Sequence, residues 1–279
     1  MDRRFVVSHL TKTIHGRLVL NDIAFEVDAG RTIGLVGRIG AGKTTLISII
    51  AGLRHASSGT FGWDNGPLKL GTFALVDQSS ALPPRLTLHR VGELAACYHA
   101  GFDRDLYLQM LAELDLGPSA KIGKLSDGER KVTSISLALA RRPELLLLDE
   151  PLASLDPVSR RSIMGQVLAL SANLGTTVLI SSHLVNDIER DCDWLIALDS
   201  GNLLLNQEID SLLEHHLWVD NLAINNHEMQ VVLDSGGRQL VRIESPSNQI
   251  HGEVPGLEEI VVAYLGLGTQ SRTAIAEVH

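Results

Sequence analysis

A run of residues in the first part of the chain has the types and spacing that bind nucleotide phosphates: Gly37, Arg38, Ile39, Gly40, Ala41, Gly42, Lys43 and Thr44, followed by Thr45. A tight glycine turn brings successive backbone N–H groups close to clustered negative charge, at the positive end of a helix dipole. Lys43 is predicted to reach the β- and γ-phosphates, and the Thr44 hydroxyl to hold Mg²⁺. The alternative is a glycine-rich turn that binds no ligand.

The residues on either side of this run have the patterns that a phosphate loop requires. Residues 32–36 predict a buried strand, and residues 45–50 predict the helix that the loop opens. A strand, a glycine loop and a helix in that order favour nucleotide binding over an unliganded turn. Taken alone, the loop is compatible with a kinase, a GTPase or a motor protein.

Two acidic residues and a histidine follow later strands, where they supply the types needed for hydrolysis. Asp149 and Glu150 come directly after the apolar run 145–148, and His183 follows the apolar run 177–180. Ligands bind at the carboxyl ends of such strands. Asp149 is predicted to contact Mg²⁺ through its water shell, Glu150 to act as general base, and His183 to hydrogen-bond the γ-phosphate. The structural alternatives are a solvated acidic pair and an ordinary surface or core histidine.

Strands that alternate with helices are predicted to carry these residues. Apolar residues at period two between Phe5 and Val27 predict an antiparallel β subdomain before the phosphate loop. The later apolar runs, separated by helical patterns, predict a mainly parallel sheet covered on both faces. The predicted fold class is therefore α/β, a P-loop NTPase sheet with an N-terminal antiparallel subdomain.

A helical insertion is predicted at about residues 84–143. Apolar residues between Val91 and Leu114 recur at helical spacing. Ser126 and Glu129 form a capping box, which predicts a helix start, and Pro143 predicts the end of that helix.

The last part of the chain has a different pattern. Residues 231–233 and 240–243 flank a turn at Ser235-Gly236-Gly237, which predicts a hairpin, and residues 257–265 carry one apolar helix face. The chain is therefore predicted to consist of a nucleotide-binding domain at residues 1–206 and a small α/β accessory region at residues 207–279.

The composition fits a packed protein with a negative net charge. Hydrophobic residues make up 44% of the 279 residues, and the formal net charge is −9. This acidic balance disfavours a nucleic-acid surface, so no nucleic acid is expected as a partner. No apolar run approaches the roughly 18 residues that cross a bilayer, and the N-terminus is not a secretory signal. Cys97 and Cys192 match no metal spacing, which indicates a reducing cytosolic compartment.

In their order along the chain, these motifs resemble those of the nucleotide-binding subunits of ATP-binding cassette (ABC) transporters, over about residues 3–205. The matching segments are residues 37–45 (Walker A), Gln78 (Q-loop), residues 125–129 (signature), residues 145–150 (Walker B), residues 153–156 (D-loop) and His183 (switch histidine).

The resemblance implies a site shared between two subunits that close face to face on ATP. Each ATP would lie between the phosphate loop of one subunit and the signature of the other. There Ser126, Gly128 and Glu129 would bind it, together with Asp156 of the D-loop. Gln78 would bind the metal, take part in catalysis and couple the ATPase to a membrane partner.

The same resemblance implies ATP and Mg²⁺ as cofactors, a homodimer or a pair with a related ATPase subunit, and a separate polytopic membrane subunit. Such a protein would be cytoplasmic and peripheral at the cytoplasmic face of the membrane. Within the family, residues 102–125, 155–157 and 180–183 and the tail 257–261 are most similar to exporter-type ATPases.

Several positions depart from the family pattern. Arg38 and Ile39 stand where Pro-Asn or Pro-Ser is frequent, and Ile14 stands where an aromatic residue would stack on adenine. Asp127 replaces the first glycine of the signature, and Glu129 replaces a glutamine. Each added negative charge near a triphosphate is unfavourable by ~1 kcal/mol, which predicts slow or partner-dependent hydrolysis.

Two alternative functions stay open. One is a soluble ABC ATPase that acts on ribosomes or DNA, which the single cassette and the acidic balance disfavour. The other is a weakly active regulatory half of a heterodimer, which Asp127 favours and which the intact Lys43, Asp149 and Glu150 disfavour.

Overall fold

The computed structural model describes residues 3–79, 81–153, 155–220, 229–235, 237–244 and 252–276. The strands are β1 (Arg4–Ile14), β2 (Arg17–Asp28), β3 (Thr32–Gly37), β4 (Ser58–Trp63), β5 (Gly66–Pro67), β6 (Phe73–Val76), β7 (Leu145–Asp149), β8 (Thr177–Ser181), β9 (Trp194–Asp199), β10 (Asn202–Glu208), β11 (His216–Asp220), β12 (Met229–Ser235) and β13 (Arg238–Ile243). The helices are α1 (Lys43–Ile50), α2 (Leu88–Tyr98), α3 (Arg104–Glu113), α4 (Asp127–Leu139), α5 (Pro157–Leu174), α6 (Val185–Asp191), α7 (Ile209–Glu214) and α8 (Leu257–Ala276).

The central sheet has six strands in the order β10-β9-β3-β8-β7-β6. Every pair except β10 with β9 is parallel. In this register Asp149 lies opposite Ser181, and Gly37 lies opposite Leu198. The carboxyl ends of β3, β8, β7 and β6 therefore meet at one edge of the sheet, and the candidate residues follow those ends. The mainly parallel α/β sheet predicted from the sequence is confirmed.

Strand β7 shows why the sheet is buried on both faces. Leu145 and Leu147 point into one apolar core, and Leu146 and Leu148 point into another, because successive side chains of a strand alternate. The first core lies between this sheet, helix α1 and the antiparallel sheet β2-β1-β4-β5. The second core is closed by helices α3, α4 and α5. The predicted N-terminal antiparallel subdomain is confirmed, and its packing holds α1 against the central sheet.

The helical insertion has its own small core. Helices α2 and α3 and a 3₁₀ turn at Ile122–Lys124 bury apolar residues against α4. The hydroxyl of the buried Tyr107 donates to the Leu88 carbonyl at 3.0 Å. Helix α4 starts at the predicted capping box but ends at Leu139, before the predicted end at Pro143, and the chain then turns through a positive φ of 50° at Arg142.

The C-terminal part contains a third sheet in the order β11-β13-β12 and the helix α8. The predicted hairpin is the antiparallel pair β12–β13; Gly236 of its turn lies outside the described residues. Leu257 and Ile260 of α8 pack on Leu195 and Ala197 of the central sheet. The division at residue 206 stays a prediction, and strand β10 crosses that position.

Candidate functional site

The phosphate loop connects β3 to α1, as the sequence predicts. A Cβ on Gly37 would lie 2.2 Å from the Leu198 carbonyl oxygen, so only glycine fits beside β9. Gly42 has a φ of +109°, which L-residues rarely adopt, and forms the N-cap of α1. Glycine has no side chain that could cap the helix, and no side-chain cap is present among the described residues. The first N–H groups of α1 are thus left to an anion, which is the arrangement that binds phosphates at helix N-termini.

Lys43 is buried at the base of this loop. Its Nζ donates to the carbonyl oxygens of Gly37, at 2.7 Å, and Arg38, at 3.4 Å. Burial lowers the pKa of Lys43, and the charges of Glu150 and Asp149 act in the opposite direction. The ammonium group therefore lies within electrostatic reach of both carboxylates, as residues that share one site should.

The remaining residues of the loop differ in exposure. Thr44 is exposed and Thr45 is half-buried at the start of α1. Ile39 is 99% exposed at the rim. Arg38 Nη2 donates to the Leu265 carbonyl of α8 at 3.4 Å. The loop is thus in contact with the C-terminal helix on one side and open on the other.

Ser181, the last residue of β8, contacts both acidic residues at the end of β7. Its buried hydroxyl donates to Asp149 Oδ1 at 2.6 Å and accepts the backbone N–H of Glu150 at 2.9 Å. Asp149 is itself only 8% exposed. One serine therefore fixes both the buried carboxylate and the backbone at the next residue.

Glu150 and His183 are in direct contact. The His183 ring nitrogen Nδ1 lies 2.8 Å from Glu150 Oε2, and a carboxylate can only accept in this pair. Glu150 has a φ of 47°, an uncommon conformation for a non-glycine residue. The turn after β7 thus directs the Glu150 side chain towards the histidine that follows β8. The structure brings together the acid and the histidine that the sequence analysis treated separately.

Gln78 is exposed just beyond the end of β6. The carbonyl oxygens of Asp77 and Gln78 both accept hydrogen bonds from Lys131 Nζ of α4. The Asp77 carboxylate accepts from the N–H and the hydroxyl of Ser79, at 3.0 and 2.7 Å. The predicted Q-loop residue therefore lies on a backbone that is held from two sides.

The signature residues lie at the N-terminus of α4. Ser126 and Glu129 form the predicted capping box, and their hydrogen bonds lower the pKa of Glu129. The Asp127 carboxylate is paired with the Arg130 guanidinium. Arg130 therefore offsets the charge of Asp127, and the Glu129 carboxylate accepts hydrogen bonds from Ser126 at the helix start. The spacing of Asp127 and Arg130, three residues apart in a helix, was a signal available in the sequence.

Residues of the D-loop lie beside the signature. A Cβ on Gly128 would lie 2.9 Å from Leu155 Cδ2, so the helix start and this loop are in close contact. Asp156 caps α5 by accepting from the N–H groups of Val158 and Ser159, both at 3.0 Å. Ser154, the remaining polar residue of the loop, lies outside the described residues.

A cleft beside the phosphate loop contains residues that the sequence analysis missed. It is lined by residues 17–19 of β2, residues 38–45 and residues 199–200. Ile14, which stands where an aromatic residue that stacks on adenine is expected, is not among the lining residues. The antiparallel sheet contributes Arg17, Leu18 and Val19 through packing between distant segments, for which the sequence carries no local signal. The signature residues also do not line this cleft.

Among the described residues, no helix is both long and apolar enough to cross a membrane.

Comparison with known proteins gives consistent matches. A family model described as ABC transporter matches residues 20–153. The ABC transporter ATP-binding protein YtrB of Bacillus subtilis (strain 168) is 28% identical, over 92% of this chain and 96% of the relative. The Nod factor export ATP-binding protein I of Burkholderia lata is 30% identical, over 77% of this chain and 74% of the relative. The aliphatic sulfonates import ATP-binding protein SsuB of Yersinia pestis is 33% identical, over 71% of this chain and 74% of the relative.

A solved structure described as the ATP-binding subunit of an ABC transporter is similar in fold. It superposes with a TM-score of 0.65 and 27% identity, over 75% of this chain and 91% of that chain.

Proposed function

This chain belongs to the ATP-binding subunits of the ABC transporter family, which are ATPases, and from that membership we propose how its own residues bind and hydrolyse ATP. Lys43 and the N–H groups at the start of α1 bind the β- and γ-phosphates. The strongest support is the position of Lys43, which is buried after β3 and lies within electrostatic reach of Asp149 and Glu150 at the end of β7. Burying a lysine is costly, and a glycine turn that binds no ligand does not require a buried cation near two acidic residues.

The residues around the loop fit a magnesium ion. Thr44, Gln78 and Asp149 supply hydroxyl, amide and carboxylate oxygens, which are the donors that Mg²⁺ prefers. Ser181 holds the Asp149 carboxylate in a fixed orientation. A magnesium ion held by these residues would neutralise negative charge on the phosphates during hydrolysis.

Glu150 acts as the general base in this proposal. Water attacks the γ-phosphorus, the bond to the β-phosphate oxygen breaks with release of ADP, and the proton of the water passes to the Glu150 carboxylate. His183 holds Oε2 of that carboxylate by its hydrogen bond at 2.8 Å, so that the other oxygen takes the proton. His183 also remains the candidate for a hydrogen bond to the γ-phosphate.

Two copies close face to face in the productive state, with Ser126, Gly128, Glu129 and Asp156 of one copy facing the ATP of the other. The support is that the cleft of the phosphate loop contains no signature residue, although the start of α4 carries these residues beside the D-loop. Arg130 offsets the charge of Asp127 there. An isolated subunit should therefore bind ATP through Lys43 and hydrolyse it slowly.

A separate polytopic membrane subunit is the proposed partner, with this chain at its cytoplasmic face. The transport direction that we propose is export, on the similarity of residues 102–125 and 180–183 to exporter-type ATPases. The names of the relatives include both an export and an import protein, so they do not decide the direction. Copurification with a polytopic membrane protein tests the proposed partner. Transport of substrate into inverted vesicles tests the proposed export direction.

Substitution of Lys43 and Glu150 tests the ATPase proposal. Lys43→Ala should abolish phosphate release, whereas Lys124→Ala, at an exposed lysine, should leave it unchanged. Glu150→Gln should yield an ATP-bound dimer, measured by sedimentation at saturating Mg·ATP. Unchanged turnover in Lys43→Ala would reject the phosphate-loop assignment, and a Glu150→Gln variant that stays monomeric would reject the face-to-face site.

A further inference from the structure

A buried lysine connects helix α4 to the loop that carries Gln78. Lys131 lies two residues after Glu129, the last signature residue, and is only 6% exposed. Its Nζ donates to the carbonyl oxygen of Asp77 at 3.1 Å and to that of Gln78. None of the catalytic or binding roles proposed above uses this side chain.

The energetics make this contact difficult to break. A buried ammonium group without acceptors is costly, and hydrogen bonds to a charged donor are about twice as strong as neutral ones. Burial lowers the pKa of Lys131, and the charges of Asp77 and Asp127 oppose that shift. If the loop moved away from α4, the lysine would lose two acceptors at once. The loop and the helix are therefore expected to move together.

The two acceptors are consecutive carbonyl groups, and this determines what is held. Holding the carbonyls of Asp77 and Gln78 holds the two peptide planes on either side of the Gln78 Cα, and so the direction in which the Gln78 side chain leaves the backbone. On the other side, the Asp77 carboxylate holds the N–H and the hydroxyl of Ser79. The backbone at Gln78 is thus fixed although its side chain is exposed.

We infer that Lys131 is a positioning residue for Gln78, which ties the Q-loop to the signature helix so that a movement of α4 carries the metal-binding amide with it. The metal role of Gln78 rests on the proposed function. The tether itself rests on the two hydrogen bonds and can be tested without ATP. A change in the position of α4 at the interface between two copies then reaches the metal through one side chain.

Amide hydrogen exchange in the chain without nucleotide tests the tether. Exchange of the segment around residues 77–79 should become about tenfold faster in Lys131→Met, because the loss of two hydrogen bonds to a charged donor makes local opening of the loop easier. It should stay unchanged in Lys124→Met, and Lys131→Arg should restore most of the protection. Exchange rates of wild type and Lys131→Met within twofold of each other would overturn the inference. If the methionine variant does not fold, Lys131→Gln is measured against the same criterion.

Kinetics test the link to the metal. In Lys131→Met, kcat should fall about tenfold and the half-saturating Mg²⁺ concentration should rise by a similar factor. The affinity for ATP in EDTA, measured by equilibrium dialysis, should stay within twofold because Lys43 is intact. An unchanged Mg²⁺ dependence would overturn the inference. If the wild-type chain neither binds nor hydrolyses ATP, the proposed function fails, and hydrogen exchange still decides whether Lys131 holds the loop.

Discussion

Replacement of Ser181 by alanine should destabilise the protein and slow its ATPase. The Ser181 side chain is fully buried, donates to Asp149 Oδ1 at 2.6 Å and accepts the N–H of Glu150 at 2.9 Å. Alanine preserves the β8 backbone and the packing of the Cβ atom but removes both hydrogen bonds. The carboxylate of Asp149 then stays buried with one donor fewer.

The size of the effect follows from these two bonds. A hydrogen bond to a charged group contributes about 1.5–3 kcal/mol, and an orphaned N–H adds about 1 kcal/mol. The half-buried position of Glu150 lets water reach its N–H in part. The expected loss is therefore about 2–4 kcal/mol in the free energy of unfolding, and the melting temperature of a chain of this length should fall by roughly 4–8 °C.

Urea unfolding of Ser181→Ala beside Ser171→Ala measures this loss. Ser171 is an equally buried serine, but its hydroxyl donates to the neutral Val167 carbonyl within α5 at 2.8 Å. Its replacement should cost about 1 kcal/mol or less. Equal losses in the two variants would show that the contact with Asp149 is not special and would refute the role given to Ser181. The kcat of Ser181→Ala should also fall about tenfold.

Two further predictions concern pH. Burial raises the pKa of Tyr107 well above its ordinary value. The unfolded chain therefore loses this proton first, and the free energy of unfolding falls above about pH 10. Tyr107→Phe should lower the free energy of unfolding by about 1 kcal/mol at pH 7 but should show a smaller decline at alkaline pH, measured by urea unfolding. Burial lowers the pKa of His216, with Arg242 and His215 acting in the same direction and a backbone hydrogen bond acting against it. The unfolded chain therefore binds more protons below about pH 6.5, so stability should fall from pH 7.5 to pH 5.5 in the wild type and less in His216→Gln. Parallel pH profiles of a variant and the wild type would contradict the corresponding assignment.

Local patterns explain which parts of the site the sequence predicts well. The phosphate loop from Gly37 to Thr44 depends on glycines and a helix start that lie within a few residues, and the capping box of Ser126 and Glu129 is equally local. Strand ends are also predictable, because a buried strand must be apolar and the first charged residue marks its end. This placed Asp149 and His183 at the correct edge of the sheet.

Contacts between distant segments explain what the sequence does not predict. The hydroxyl of Ser181 contacts Asp149 because β7 and β8 are paired in one particular register. The sequence of residues 177–181 does not indicate this register. Lys131 is a charged residue in a helix, where the usual expectation is an exposed side chain, and only tertiary packing shows that it is buried.

The position of β3 in the central sheet determines when the phosphate-binding site can form during synthesis. Its two neighbours, β8 and β9, come much later in the chain, and Gly37 faces Leu198. Contacts between such distant residues form slowly and only after both segments have been made. The ribosome must therefore release residues through Asp199 before the phosphate loop has its final surroundings, whereas the capped start of α4 needs only its own neighbours. A nascent chain that stops before β8 would carry the complete glycine motif and still lack the site.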